Sequence, residues 1–400
     1  MKVNSTKIIL IFLLVLITLG QFGVDLFLPS LPHIAKSLNT AISSVKLTVP
    51  VYLLGLGISQ LFYGPISDCI GRKPTLLVGL TLFGIGSLGC ALANGAAILT
   101  VFRIIQGFGA GAAIVRAIMR DAFHGKQMAK ASALVVMVWS VTPIVAPVIG
   151  GYIQTYLGWR ANFAIMLIYA SLIWMFVFFR FPETLDDDHK KDLNIRLVLG
   201  IYKKIFSCKL FLAFSLMSSF CYGYFISFAT ASPFLFQNQL GLSPVQFGWT
   251  LLVIAFGTAL GSIICRHAVA RFKITQIIFA GSLCTLIATL VMTLLAWVGI
   301  FNVASVLIPP FFGSIGGGML FPNCTTGAMT PYKANAGAAG AALGFIQMFN
   351  SFIFTAIISY VSAKTALPLS LELLVISILM FVLFMTYIRF HFEEEEEIHA

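Results

Sequence analysis

Asp25 and Arg103 are charged residues set inside long apolar runs. A charge at such a depth in a bilayer costs about 2.5–3.5 kcal/mol on insertion scales, so its presence marks a functional site. A carboxyl there can take up and release a proton. Thr18, Gln21 and Asp25 stand at offsets 0, 3 and 7, on one helical face, which predicts a polar stripe lining a cavity. At about 1.5 Å per residue from the ends of their runs, Asp25 and Arg103 come to a similar height. Desolvation disfavours a charged carboxyl, and a nearby guanidinium favours it. The expectation is therefore that Asp25 binds a coupling proton, or exchanges it for a cationic compound, with Arg103 tuning it. A static pair fixing two helices is the alternative. Glu372, near the start of the last apolar run, is a second membrane acid, for which an interfacial carboxylate is the simpler reading.

A second group of charges lies in "GPISDCIGRKP", Gly64 to Pro74, between two apolar segments. Gly71 permits a tight turn and Pro74 suits the first turn of the next helix. Asp68, Arg72 and Lys73 either set topology or form a latch that holds one conformation, with Asp121 at the end of the fourth apolar run as a partner. Pro143 and Pro147 each remove a helix hydrogen bond and should bend the fifth run. Gly150 and Gly151 there, and Gly107, Gly109 and Gly111 in the fourth run, allow close helix approach. Tyr222, Phe225, Ala229 and Ser232 share one face of the seventh run. Leu343, Gln347, Asn350 and Phe354 share one face of the eleventh. Aromatics with sparse amides suit small apolar compounds, and Gln21 joins Tyr222, Phe225, Ser232, Gln347 and Asn350 as candidate contacts. Plain helix packing is the alternative for both stripes.

These residues need elements to hold them. Of the 400 residues, 59% are hydrophobic and 10% charged, with mean hydropathy +0.98. A soluble chain is about 25% charged, so the bilayer is the expected solvent. Twelve apolar runs of spanning length are visible, at roughly 8–28, 46–67, 74–94, 98–119, 131–153, 162–181, 209–232, 246–265, 275–298, 303–324, 338–360 and 367–388. The fourth contains Arg103, and the tenth is interrupted by Pro309, Pro310 and several glycines. Lys2 and Lys7 precede the first run, yet its length and Asp25 make it a retained helix and not a leader peptide.

The net charge of +11 is a topology signal and does not point to nucleic acid. With both termini on one side, twenty Lys and Arg fall on that side. Lys36, Lys46, Arg160 and Lys364 fall on the other, and Arg103 lies within the membrane. The positive-inside rule then puts both termini in the cytoplasm. The charged gap from Pro182 to Cys208 divides the chain into bundles 1–181 and 209–392, six helices each, with a linker at 182–208 and an acidic tail at 393–400. Equal halves suggest a transporter with its site between them. "GSIICRHAVARFK" at Gly261–Lys273 faintly repeats the earlier charged turn.

Several of these stretches resemble the major facilitator superfamily. "GPISDCIGRK" fits its loop pattern G-x-x-x-D-x-x-G-R-[RK], with Cys69 where a base usually follows the Asp. "RIIQGFGAGAAIVRAIMRD", Arg103 to Asp121, is similar to its fourth-helix motif. "APVIGG", Ala146 to Gly151, is similar to the fifth-helix motif of proton-coupled drug exporters, with alanine for the first glycine. "GVDLFLPSLPHIA" and "ASPFLFQNQLGLS" look like the bicyclomycin and chloramphenicol resistance branch. The resemblance implies an all-α membrane protein of twelve helices in two six-helix bundles. It also implies that Asp68, Gly71, Arg72, Lys73 and Asp121 stabilise an outward-open state.

No P-loop and no dinucleotide motif on a soluble unit is present, so neither an enzyme nor an ATP-driven pump is expected. Seven cysteines and six histidines show no metal-ligand spacing. His391 and His399 flank the acidic run Glu393–Glu397, which reads as a solvated tail. The expected activity is proton-driven export of small, largely apolar compounds by a monomer, with the proton gradient in place of a cofactor. A dedicated exporter of one metabolite, such as a siderophore or amino acid, and a non-transporting sensor or scaffold are the alternatives.

Overall fold

The computed structural model describes residues 3–110, 113–185, 194–361 and 364–390; the side chains of 3–6, 113 and 333–335 lie outside that description. So do Gly111, most of the acidic stretch of the linker, His391, His399 and the 393–400 tail. The described residues contain twelve helices long and apolar enough to cross a membrane. In chain order they are Lys7–Ser37, Ile42–Ile70, Arg72–Leu92, Ala96–Ala122, Gly125–Leu157 and Trp159–Arg180, then Lys209–Gln239, Pro244–Ala268, Ile274–Trp297, Val303–Tyr332, Ala336–Tyr360 and Leu367–Ile388. They are called the first to twelfth helices below. A bilayer offers no water to backbone groups, so each segment must satisfy its own, and an apolar helix is the solution.

Local chemistry explains the departures from the apolar runs. The first helix is α-helical to Asp25, then tightens into a 3₁₀ turn at Leu28–Ser30 before resuming at Leu31. Pro29 and Pro32 lack the donors that an unbroken α-helix would use. Asp25 therefore ends a helical segment well short of the end of the span at Ser37. The tenth helix runs unbroken from Val303 to Met329 through Pro309, Pro310 and Pro322. Pro322 frees the carbonyl of Gly318, and Ser262 of the eighth helix donates to it at 3.3 Å. The fifth helix starts at Gly125 and stays helical through Pro143 and Pro147. The linker holds a helix, Ile195–Phe206, capped by the Asn194 side chain, and its Tyr202 hydroxyl donates to Leu61 O of the second helix at 2.9 Å.

Within the first six helices the fourth packs on the second and third, the third on the sixth, and the first on the fifth. Within the second six, the tenth packs on the seventh, eighth and ninth, and the seventh also on the eleventh and twelfth. The two bundles meet along the second and eleventh helices and along the fifth and eighth. At the end opposite the termini, the outer end, they are closed together. The whole stretch Asp25–Pro32 is buried, as are Phe234–Phe236. Gln237 Nε2 of the seventh helix donates to Pro29 O of the first at 2.9 Å.

The consecutive glycines of the fifth helix serve two different neighbours. A side chain at Gly150 would overlap Leu26 O of the first helix, inside the first bundle. One at Gly151 would lie 2.6 Å from Pro244 O of the eighth helix, in the second bundle. Gly248 returns the contact: a side chain there would lie 2.8 Å from Pro147 O. Gly150→Ala should thus force apart two helices of one bundle. We expect it to lower stability by roughly 1–3 kcal/mol, read as a lower unfolding temperature of the purified protein. An unchanged temperature would show that the first and fifth helices have room to spare.

Candidate functional site

Arg103 is wholly buried and organises the first bundle. Its Nε donates to Thr48 O of the second helix at 3.1 Å. Its Nη1 donates to Gly23 O of the first at 2.8 Å and to Gln106 Oε1 at 2.6 Å. The guanidinium lies between the rings of Phe27 and Tyr52, each 4.2 Å from Cζ. Arginine presents five donors in a rigid planar fork, which lets one side chain span three acceptors and two rings. Gln106 passes the network to Ser87 Oγ of the third helix at 2.8 Å. Arg103 is thus a staple across the first four helices.

It is not the partner of Asp25, contrary to the reading from height alone. Asp25 is equally buried, but its Oδ2 accepts from Gln21 Nε2 at 2.8 Å, and its Oδ1 has no donor. The Tyr52 phenol lies within electrostatic range of both groups; Arg103 Nε and Nη1 bond backbone carbonyls and Gln106, and its Nη2 has no hydrogen-bond partner. At this similar depth the guanidinium bonds Gly23 O near the 3₁₀ break, Thr48 O of the second helix and Gln106, and makes no ion pair with Asp25. Thr18 also leaves the expected stripe: its hydroxyl pairs with Tyr169 of the sixth helix at 2.8 Å. Gln21 and Asp25 alone remain toward the centre.

There they face the second bundle. The buried Tyr222 hydroxyl lies beside Gln21 and within electrostatic range of Asp25. Its ring stacks at 6.4 Å on Trp139 of the fifth helix, which in turn stacks at 5.8 Å on Phe321 of the tenth. One acid, one amide and three rings from both bundles therefore meet near mid-membrane. Phe225 is half-buried on the seventh helix. Ser232 is buried further toward the outer end, its hydroxyl without a partner. The two amides of the eleventh helix bond within their own bundle: Gln347 Nε2 donates to Ser218 Oγ at 3.2 Å and Asn350 Nδ2 to Ser219 Oγ at 2.6 Å. Their donors hold the seventh and eleventh helices together.

At the inner end, Arg72 Nη1 donates to Asp68 Oδ1 at 2.5 Å and to Ser67 Oγ at 2.6 Å, and Nε to Asp121 Oδ2 at 2.7 Å. The Glu183 carboxylate accepts from the backbone N–H of Arg72 at 2.9 Å and of Lys73 at 3.1 Å, and so caps the third helix. Gly71 at φ 104° holds the turn, and a side chain there would meet Glu183. These partners all lie in the first bundle or at its junction with the linker. The cluster is complete while the outer end is shut, so its assembly is not confined to an outward-open state. Its ion pairs run within one bundle, and a rigid rotation of that bundle leaves them unchanged.

Residues 11–359 match the family description "Major Facilitator Superfamily". The chain belongs to the major facilitator superfamily. It is 30% identical to Multidrug resistance protein D of Escherichia coli (strain K12), over 89% of this chain and 90% of that one. It is 28% identical to the Bicyclomycin resistance protein homolog of Haemophilus influenzae, over 92% of each chain. To the Chloramphenicol resistance protein of Pseudomonas aeruginosa it is 26% identical, over 88% of this chain and 83% of that one. The crystal structure of a D-xylose–proton symporter superposes with TM-score 0.73 at 16% identity, over 94% of this chain and 97% of that one, which supports the fold. This is a multi-pass transporter of that superfamily, related to antibiotic-resistance proteins, and not an enzyme.

Some residues of this transporter's site escaped sequence reading. Trp139 stands at offsets of 4, 8 and 12 from Pro143, Pro147 and Gly151, on the face that meets the second bundle, and that spacing was available as a signal. Phe321 and Glu183 carried none. Lys46, counted among the outer charges, is 1% exposed and enters the protein.

The staple role of Arg103 has a direct test. Lysine keeps the charge but cannot reach Gly23 O, Thr48 O and Gln106 together. We expect Arg103→Lys to cost about 1–3 kcal/mol, the range for leaving buried partners unsatisfied, seen as a lower unfolding temperature at unchanged expression. Wild-type stability would show that one donor suffices.

Proposed function

We propose that this transporter is a proton-coupled antiporter that exports small, largely apolar compounds, with Asp25 carrying the proton. The observation behind this reading is the Asp25 carboxyl: wholly buried at the meeting of the bundles, with one oxygen on Gln21 and the other without a donor. A buried oxygen without a donor is a place for a proton. The facing surface of Tyr222, Trp139 and Phe321 suits apolar and aromatic compounds. The names of the relatives point to drugs and antibiotics as the cargo class. Gln21 orients the carboxyl, and Arg103 fixes the bundle around it. Binding of a compound beside Asp25 displaces the proton, and return of the proton from the outer side resets the site. The proton gradient supplies the energy and one chain suffices, since it contributes both halves of the site.

Asp25→Asn keeps the shape and removes the titration. In energised vesicles we expect it to abolish compound-dependent proton movement, followed with a pH-sensitive dye, while binding of neutral compounds survives. Wild-type exchange by this variant would place the proton elsewhere. A compound panel run on the wild-type protein separates broad export from export of one metabolite, and no exchange with any compound would favour a sensor.

The charge asymmetry supports a bacterial inner-membrane location with both termini cytoplasmic. A tag at Ala400 should be reachable from the cytoplasm alone, and a cysteine in place of Gly241, between the seventh and eighth helices, from outside alone. Reversed labelling would overturn the orientation.

A further inference from the structure

Glu372 of the twelfth helix is a carboxyl that the mechanism above does not use. Its Oε1 accepts from Ser227 Oγ of the seventh helix at 2.9 Å. Its Oε2 is buried and has no hydrogen-bond donor. Close by is Lys46, from the opposite bundle. The Lys46 ammonium is buried and donates to Val361 O at 3.0 Å and Ile358 O at 3.2 Å, at the outer end of the eleventh helix. It also lies 5.6 Å from the ring centroid of Phe234. Lys46 and Glu372 are within electrostatic range of each other, yet they form no salt bridge.

That choice of partners is informative. An ionised carboxylate is a far stronger acceptor for an ammonium than two neutral carbonyls. Lysine is also a flexible point charge that can swing toward it. Lys46 instead stays on the carbonyls, which are favoured positions for a cation at a helix C-terminus. An oxygen without a donor beside a cation that does not approach it fits a neutral carboxyl with its proton on Oε2.

We propose that Glu372, Ser227 and Lys46 form a second proton-binding site, in the second bundle, which is occupied while the outer end is closed and empties when it opens. Opening must withdraw Lys46, because the ammonium and its acceptors belong to different bundles. Outer water then reaches the Glu372 carboxyl, and its proton passes to that water. Closing reverses both steps: one proton moves from outer water to Oε2, and Lys46 returns to the carbonyls. The proton enters and leaves by the same side. The site therefore gates the cycle and adds nothing to the number of protons exchanged for cargo. Lys46 acts as a positioning residue.

The neighbours offer little competition for this titration. On the seventh helix Ser227 is the group in contact; Cys221 lies deeper, against Met380. Tyr222 and Tyr224 of that helix are buried phenols. The ninth helix brings only Cys284, bonded to Phe312 O near the cytoplasmic half, and the eleventh only Tyr360, exposed at the rim. The sign follows: a proton bound in the closed form alone makes closure more favourable as pH falls.

The inference rests on alternating access by the two bundles and not on antiport at Asp25. Distance measurement between spin labels tests it without transport. Labels at Lys36→Cys and Val298→Cys, at the outer ends of the first and ninth helices, in a cysteine-depleted protein in nanodiscs, report the separation by double electron–electron resonance between pH 5 and 9. The short-distance population should grow as pH falls. Glu372→Gln, a permanent neutral mimic, should hold it high at every pH. Lys46→Met should shift the population toward long distances at every pH while keeping the pH response. Ser227→Ala should move the midpoint, and it serves as a second variant should Glu372→Gln fail to fold. A wild-type pH response in Glu372→Gln, or none in the wild type, overturns the proposal. If the response follows Glu372 but wild-type vesicles show no compound-driven proton exchange, the antiport reading fails and the gate stands.

Discussion

A charge inside a bilayer must find its partners within the protein, and this transporter must also let its two halves part. The two demands are met in different ways. The cations internal to the first bundle each hold several fixed partners: Arg103 has Gly23 O, Thr48 O, Gln106 and two rings, and Arg72 has Asp68, Asp121 and Ser67. Polar side chains that cross between the bundles use weaker, replaceable acceptors. Lys46, Gln237 and Arg116 all donate to main-chain carbonyls, the last to Gly340 O at 3.1 Å. Water can take the place of such a donor when a mouth opens. A carboxylate partner left unpaired in an apolar wall would cost far more.

The apolar contacts follow the same division. Gly150 draws the first and fifth helices into permanent contact within one bundle. Gly151 and Gly248 allow a close approach across the divide, where each faces the backbone of the other helix. Such a surface can separate and re-form without leaving unsatisfied donors. At mid-membrane, where cargo must enter, the crossing contacts are ring on ring: Trp139 with Tyr222 and Phe321. Stacked rings are worth about 0.5–1.5 kcal/mol beyond their buried area, little enough for another apolar surface to displace.

Each bundle then carries one buried carboxyl with an oxygen that no donor reaches, Asp25 in the first and Glu372 in the second. Both take a single hydrogen bond from a neutral side chain, Gln21 or Ser227. They differ in what lies opposite. Asp25 looks onto the aromatic centre, the position we propose for exchange of proton and cargo. Glu372 looks toward Lys46, which in the proposed gate is present only while the outer ends touch. On that proposal one position joins the proton to cargo, and the other joins it to shape.

The sequence by itself determined where the chain crosses the membrane, because apolar length is a local property that no distant contact can alter. It also contained the inner charge cluster, since Asp68 and Arg72 are one helical turn apart across a glycine-permitted turn. The tertiary structure alone decided what the buried charges touch. Arg103 was legible as a costly residue, but its acceptors are carbonyls of Gly23 and Thr48, and every residue has a carbonyl. Lys46 read as one more outer lysine until the eleventh helix ended beside it. Gln347 and Asn350 read as polar candidates from their types, and only the fold put the serines of the seventh helix beside their donors. Side-chain type announces a donor or a charge, and only the folded chain chooses which of many identical acceptors comes within 3 Å of it.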